Sequence, residues 1–482
     1  MSGSLLVVDV GTSGVRGAVV RPDATVTAVH HRQVLPASPA PGLVEFDPAA
    51  MARAALDAAR AALAEAGPVA AVGITNQRAS TVVWDRSTGE PVGPGLGWQD
   101  LRTVGDCLVL QGQGIHLAPN ESATKLAHLL DAADPERSRD LCFGTVDTWI
   151  AWQLSGGELH VTDPSNAAVT GLLHGDASDW NPAVLDALRV PAACLPTVVD
   201  TSGLVGPATA LPGAPPIAAM VGDQQASLAG QGCVRPGLAK ITFGTGGMLD
   251  VCLGDERPTA ARQAEGGTFP IVAWRRDGAV TWGSEAIMLA AGANVEWLRD
   301  DLGVIGTAAE SDALAASCPS SGGVVFVPAL LGLGTPRWDY GARGTLLGVT
   351  RGTGRAELVR AVLEGVAQRG ADLVEATETD TGLTVERLRV DGGMSANATF
   401  VQAVADAARR PVEVSPEREA TTLGAGYLAG LAVGTWSGWD DIAAAWTPHT
   451  VVEPTSELDR DQWRRAVERA AGWIPELSAI TF

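Results

Sequence analysis

Short β-rich runs alternate with alanine-rich amphipathic stretches along most of the chain, the pattern of α/β layers. Apolar runs predict strands over 5–8, 15–20, 69–74, 81–84, 217–221, 238–243, 324–327 and 388–390. Helical spacing of the apolar positions predicts helices over 48–66, 124–133, 286–301, 355–377, 396–408 and 420–433. Asp47 followed by Pro48 gives the first of these a capping carboxylate and a first-turn proline. A last helical stretch, 457–471, is free to pack on either half.

The two halves rhyme. Each opens with a strand, a short glycine- and threonine-bearing turn and a second β-rich run. The turns are Asp9-Val10-Gly11-Thr12-Ser13-Gly14 and Phe243-Gly244-Thr245-Gly246-Gly247. There is no short repeat of fixed period, so this reads as one fold used twice with a cleft between the copies. The pattern breaks at 230–238, where glycines and a proline intervene, and divides the chain into 1–232 and 233–482. A length of 482 residues also exceeds one hydrophobic core.

Composition narrows the class. Hydrophobic content of 46% with 18% charged residues is that of a globular protein. A net charge of −21 excludes a nucleic-acid partner, whose phosphates need a basic face, but leaves room for one nucleotide pocket. The six cysteines, at 107, 142, 194, 233, 252 and 318, never reach CxxC spacing, and the seven histidines show no metal-ligand spacing. Reduced thiols, an early first strand without a basic n-region before it, and no apolar run of membrane length point to a cytoplasmic enzyme with no membrane partner.

The candidate chemistry starts at Val221-Gly222-Asp223-Gln224-Gln225, one carboxylate flanked by a glycine and two carboxamides directly after an apolar strand. An acid beside hydroxyl-reading amides, followed by the glycine turn at 244–247, suits a base that activates an alcohol next to bound nucleotide. The turn at 9–14 follows a buried strand. Its glycines admit phosphate oxygens to backbone N–H groups, its hydroxyls add donors, and Asp9 is placed to hold a metal through water. It matches neither G-x-x-x-x-G-K-[ST] nor G-x-G-x-x-G, and taken alone is equally a β-turn. The third glycine turn, Asp391-Gly392-Gly393-Met394-Ser395-Ala396-Asn397, is taken alone a tight βα connection capped by Ser395. Arg78 and Trp98 read as a donor and an apolar wall for substrate, or equally as a loop arginine and a core tryptophan.

Together these stretches resemble the FGGY carbohydrate kinase family, and its glycerol kinases most closely. The resemblance is carried in family order by Asp9-Val10-Gly11-Thr12-Ser13, Gly73-Ile74-Thr75-Asn76-Gln77-Arg78, Trp98-Gln99-Asp100, Gly144-Thr145-Val146-Asp147-Thr148-Trp149, Gly222-Asp223-Gln224-Gln225, Gly332-Leu333-Gly334-Thr335-Pro336-Arg337-Trp338-Asp339 and Asp391-Gly392-Gly393. It implies two actin-like (ribonuclease-H-like) ATPase domains of α/β class closing over ATP and substrate, with Mg²⁺ held through water by Asp9 and Asp223. By the resemblance, Asp223 is the catalytic base. Thr12, Ser13, Arg16, Gly244, Thr245, Gly292, Glu296, Gly393 and Asn397 fall at nucleotide positions, and Arg78, Trp98 and Gln224 fall in the substrate pocket. Glycerol kinases commonly have glutamine where Glu296 stands.

The chain departs from the glycerol kinases inside that pocket. Where they carry a glycerol-binding glutamate this chain has Ala79, and where they carry a substrate-binding tyrosine it has Asn120. Loss of such groups empties volume and removes hydroxyl partners. The expected activity is therefore ATP-dependent phosphorylation of a small polyol or sugar, with a tetritol, pentitol or ketopentose favoured over glycerol. The alternatives are a true glycerol kinase and, from another class, an actin-like ATPase without sugar kinase activity. A homodimer is compatible with this reading.

Overall fold

The computed structural model describes residues 3–260, 262–417 and 419–480. Thirteen strands form one continuous sheet whose two ends repeat a single topology. The first half supplies β1 (Leu5–Val10), β2 (Gly14–Val20), β3 (Val26–Gln33), β4 (Ala71–Asn76), β5 (Ser202–Pro207) and β6 (Pro216–Gly222). The second supplies β7 (Ala239–Phe243), β8 (Gly247–Gly254), β9 (Phe269–Arg276), β10 (Ala279–Met288), β11 (Leu388–Asp391), β12 (Val412–Val414) and β13 (Thr450–Val452).

In the first half β1 pairs antiparallel with β2 and β2 with β3, while β4 runs parallel to β1 and β6 parallel to β4. In the second half β7 pairs antiparallel with β8 and β8 with β10, while β11 runs parallel to β7 and β12 parallel to β11. The rhyme read from the sequence is thus a repeated strand order, and its two glycine turns are the equivalent β1–β2 and β7–β8 hairpins. The halves join edge to edge through one register pair, Ser202 opposite Arg276.

The helices that matter here are α1 (Pro48–Ala66), α2 (Asp223–Gly230), α3 (Arg355–Thr381), α4 (Ala398–Ala408), α5 (Ala420–Val433) and α6 (Arg460–Ala470). Every residue of β1 and β4 is buried because both faces of the sheet are covered. Leu6, Val8 and Val10 pack with Met51, Ala55 and Ala59 of α1, whereas Leu5 and Val7 pack with Ala425, Leu428 and Ala429 of α5. Asp47 caps α1 by accepting from the Ala49 N–H at 2.8 Å and the Ala50 N–H at 3.1 Å. Helices α2 and α5 cross with their backbones touching. A Cβ on Gly230 would lie 1.9 Å from the Ala420 carbonyl oxygen, and one on Gly424 would lie 1.8 Å from that of Ala226. This contact fixes α2, whose first residue is Asp223, against a helix from the far end of the chain.

One sequence expectation fails. The stretch 286–301 is strand β10 to Met288, then a turn, and becomes helical only from Ala293. Ala286 and Met288 enter the second core from a strand, opposite Leu249 and Gly247. A short apolar run is buried either way, so its composition could not separate the two. The stretch at 457–471 forms α6 on the second half, where the Trp463 indole N–H and Arg460 Nη2 both bond Asp372, at 3.1 and 2.6 Å. Among the described residues no helix is long and apolar enough to cross a membrane.

Candidate active site

Asp223 follows β6 directly and opens α2. The chain is held there by the Gly222 N–H, which donates to Ser165 Oγ at 2.9 Å. Gly222 has a local reason to be glycine, since a Cβ would lie 2.8 Å from the Arg78 side chain. Asp223 Oδ1 accepts the Gln224 N–H at 2.8 Å, and Arg78 Nε stands 3.5 Å from the same oxygen. Burial pushes the Asp223 carboxyl above the usual carboxylate range, with the Arg78 charge pulling the other way.

The Arg78 guanidinium divides its donors. Nη2 bonds Glu285 of β10 at 2.6 Å, and among the described residues the buried Nη1 has no hydrogen-bond partner. Gln224 also reaches the second half, its Oε1 accepting from Lys240 Nζ at 2.8 Å. Lys240 lies 2.7 Å from Asp250, both side chains 0% exposed. Lys240, Asp250 and Glu285 are successive cross-strand partners on β7, β8 and β10, so they form one charged row facing Arg78 and Gln224. Sequence reading missed this row. Its signal was single charged residues inside otherwise apolar strands, which burial permits only in pairs.

Trp98 reaches the first glycine turn, its indole N–H donating to Thr12 Oγ1 at 3.3 Å. Its carbonyl accepts from Lys125 Nζ at 3.2 Å, and burial lowers the pKa of that fully enclosed lysine to about 7. Ala79 is buried with φ at 60°, and its carbonyl accepts the Ser122 hydroxyl at 2.9 Å. Asn120 is exposed, and among the described residues no hydrogen bond of its side chain ties it to the Asp223 cluster.

At the first glycine turn, Asp9 meets Arg16 Nη1 at 3.1 Å and Thr422 Oγ1 of α5 at 3.2 Å, and Arg16 also pairs with Glu419. Burial raises the Asp9 carboxyl to about 6 against the attraction of Arg16, with Asp223 adding repulsion. Ser13 is exposed at the turn.

On the second half, the Gly292 N–H donates to the Gly244 carbonyl and the Ala291 N–H to that of Thr245, both at 2.8 Å. A Cβ on Gly292 would lie 2.6 Å from the Gly244 oxygen, so that glycine is required for the turn to close. Gly393 faces open space, with nothing within 4 Å of where its Cβ would stand. The residue just after α2, Gln231, reaches this third turn through Nε2, which bonds Asp391 at 2.7 Å. Asn397 caps α4 by accepting the Phe400 N–H at 2.8 Å while its amide bonds Ser311 Oγ at 3.0 Å. Glu296 is exposed at the end of the short helix Ala293–Glu296.

A duplicated strand order, with glycine turns from both copies and a carboxylate–arginine pair between them, defines a sugar-kinase fold of the actin-like ATPase type. The N-terminal-domain model of the FGGY family of carbohydrate kinases matches residues 4–230, and its C-terminal-domain model matches 239–433. A glycerol kinase of Aromatoleum aromaticum is 44% identical, covering 98% of this chain and 99% of that protein. Glycerol kinase 2 of Thermotoga maritima is 40% identical, covering 97% and 99%. The crystal structure of Plasmodium falciparum glycerol kinase with ADP aligns with a TM-score of 0.90 at 26% identity, covering 100% of this chain and 99% of that one. A xylulose kinase from Lactobacillus acidophilus, at TM-score 0.83 and 20% identity over 96% of both chains, shares the fold. The chain belongs to the FGGY family of carbohydrate kinases. It is an enzyme that transfers a phosphoryl group to an alcohol, and its family implies ATP as donor.

Proposed function

We propose that this chain transfers the γ-phosphoryl group of ATP to a primary hydroxyl of glycerol. The observation that carries the choice of substrate is near-full-length identity, at 44%, to a protein named glycerol kinase. The two halves divide at 232/233, inside the interval between the family matches, and the cleft between them holds the reactants.

Asp223 accepts the hydroxyl proton as the oxygen attacks the γ-phosphorus in line; its raised basicity suits that task. The buried, unpartnered Arg78 Nη1 and the Gln224 amide hold the remaining hydroxyls, and Trp98 forms the apolar wall. Thr12, Ser13 and Arg16 take the phosphates from one side, Gly244 and Thr245 from the other, and Gly292, Gly393 and Asn397 shape the nucleotide site. Glu296 lies at its exposed margin. Among the described residues no three acidic, histidine or cysteine side chains gather as a metal cluster. The Asp9–Asp223 pair instead suits Mg²⁺, which keeps most of its waters and takes one or two carboxylates with substrate phosphates. Bound there, Mg²⁺ supplies neutralisation of phosphate charge.

A second reading rests on Ala79 and Asn120, which leave the pocket without a glutamate and a tyrosine and favour a tetritol, pentitol or ketopentose. Phosphorus NMR of a mixture of enzyme, ATP, Mg²⁺ and glycerol tests the first reading. A new phosphomonoester that appears only with glycerol supports it, and none forming counts against it.

A further inference from the structure

Arg78 stands between two carboxylates of unequal hold: Glu285 at 2.6 Å and Asp223 at 3.5 Å. Glu285 comes from the second half, is 5% exposed, and accepts from Nη2 of the guanidinium. Its cross-strand neighbour Asp250 already has Lys240, so the Glu285 charge is balanced by Arg78. The Arg78 stem lies against Gly222 with no room for a Cβ between them, so the guanidinium has little freedom except to turn about its end. Without Glu285, the nearest anion left for it is Asp223.

We propose that Glu285 is a positioning residue for the reaction: it draws the Arg78 guanidinium off Asp223, leaving that carboxylate free to take the substrate proton and Arg78 Nη1 free for a substrate hydroxyl. This rests on the reading of Asp223 as the base. The bond joins the two halves, Arg78 following β4 and Glu285 lying on β10, so the polyol site is built from both.

The charged groups around Asp223 are Arg78 after β4, Asp9 on β1, Lys240 on β7, Asp250 on β8 and Glu285 on β10. Of these, Arg78 and Lys240 favour the ionised form and Asp250 opposes it. In Glu285→Gln the guanidinium closes on Asp223 as a tight pair, which makes the base weaker and harder to reach.

The test is kcat and KM for glycerol, alongside KM for ATP and melting temperature, with full-length wild type, Glu285→Gln and Glu285→Asp. In Glu285→Gln, kcat/KM for glycerol is expected to fall about 100-fold, the scale of a misplaced catalytic group, while KM for ATP and the melting temperature change little. Glu285→Asp keeps the charge and should recover most of the rate; it carries the test alone if the glutamine variant fails to fold. Wild-type kcat/KM in Glu285→Gln overturns the proposal, as does a matched loss of rate and melting temperature in both variants. A wild type whose ATP turnover no polyol stimulates would remove the underlying reading and this proposal with it.

Discussion

Asp9 and Asp223 stand at the carboxyl ends of β1 and β6, two parallel strands with only β4 between them, and the charge of Asp223 adds to burial in raising Asp9 to about 6. A cation bound beside both carboxylates would relieve that repulsion. A carboxyl whose folded pKa is raised binds its proton more tightly folded than unfolded, so its ionisation costs stability as pH climbs through about 6. Asp9→Asn should therefore melt no lower than wild type at pH 8, while kcat with Mg²⁺ falls by about 100-fold or more. Melting curves and turnover on one preparation check both. Lower stability with normal turnover would show that Asp9 is structural.

Removing the base itself is expected to be decisive. Asp223→Asn is nearly isosteric and should lower kcat by about 10²–10⁴ while ADP binding survives. The wild-type acidic limb should lie above the ordinary carboxylate range, because burial raises Asp223 and its proton must be lost before it can act. Turnover near wild type in a folded variant rules out the assignment.

The buried Lys240–Asp250 pair gives a purely thermodynamic prediction. Lys240→Met alone strands Asp250 and should cost about 3–5 kcal/mol, whereas Lys240→Met with Asp250→Leu should regain most of it. Urea melts of the two singles and the double read the coupling directly. Additive losses would mean that the two side chains do not depend on each other.

Much of this molecule is legible in the chain, for reasons that differ by residue. The stretch 48–66 reads as a helix because Asp47, Pro48 and the alanine spacing all agree, and the structure places it over those same residues. The glycine turns at 11–14 and 244–247 are legible from their glycines, two of which sit against backbone: a Cβ on Gly14 would lie 2.8 Å from the Arg32 carbonyl oxygen, and one on Gly246 2.9 Å from that of Met288. The strand ending at Met288 is not, since burial of Ala286 and Met288 satisfies either period. Glu285 and Asp250 escape for a related reason: a lone charge in an apolar strand gains meaning only from a partner across the sheet, and pairing is not written along the chain.

Positions 79 and 120 give a test of specificity. On the reading that they face the substrate, Ala79→Glu with Asn120→Tyr adds two hydroxyl partners, one of them charged, and should raise the ratio of kcat/KM for glycerol over xylitol by about 30-fold or more. The backbone at Ala79 is left-handed, with φ at 60°, and the glutamate must be accepted there. A ratio that stays put in a folded double variant means that these positions do not face the substrate.

Glycerol is the acceptor that the proposed function requires. That requirement is tested most directly by ADP release with glycerol, erythritol, xylitol, ribitol, xylulose and ribulose as acceptors, compared as kcat/KM under identical ATP and Mg²⁺. Glycerol should give the highest value, and turnover without an acceptor should be a small fraction of it. A longer polyol or ketose exceeding glycerol tenfold, or ATP hydrolysis that none of them stimulates, would contradict the account.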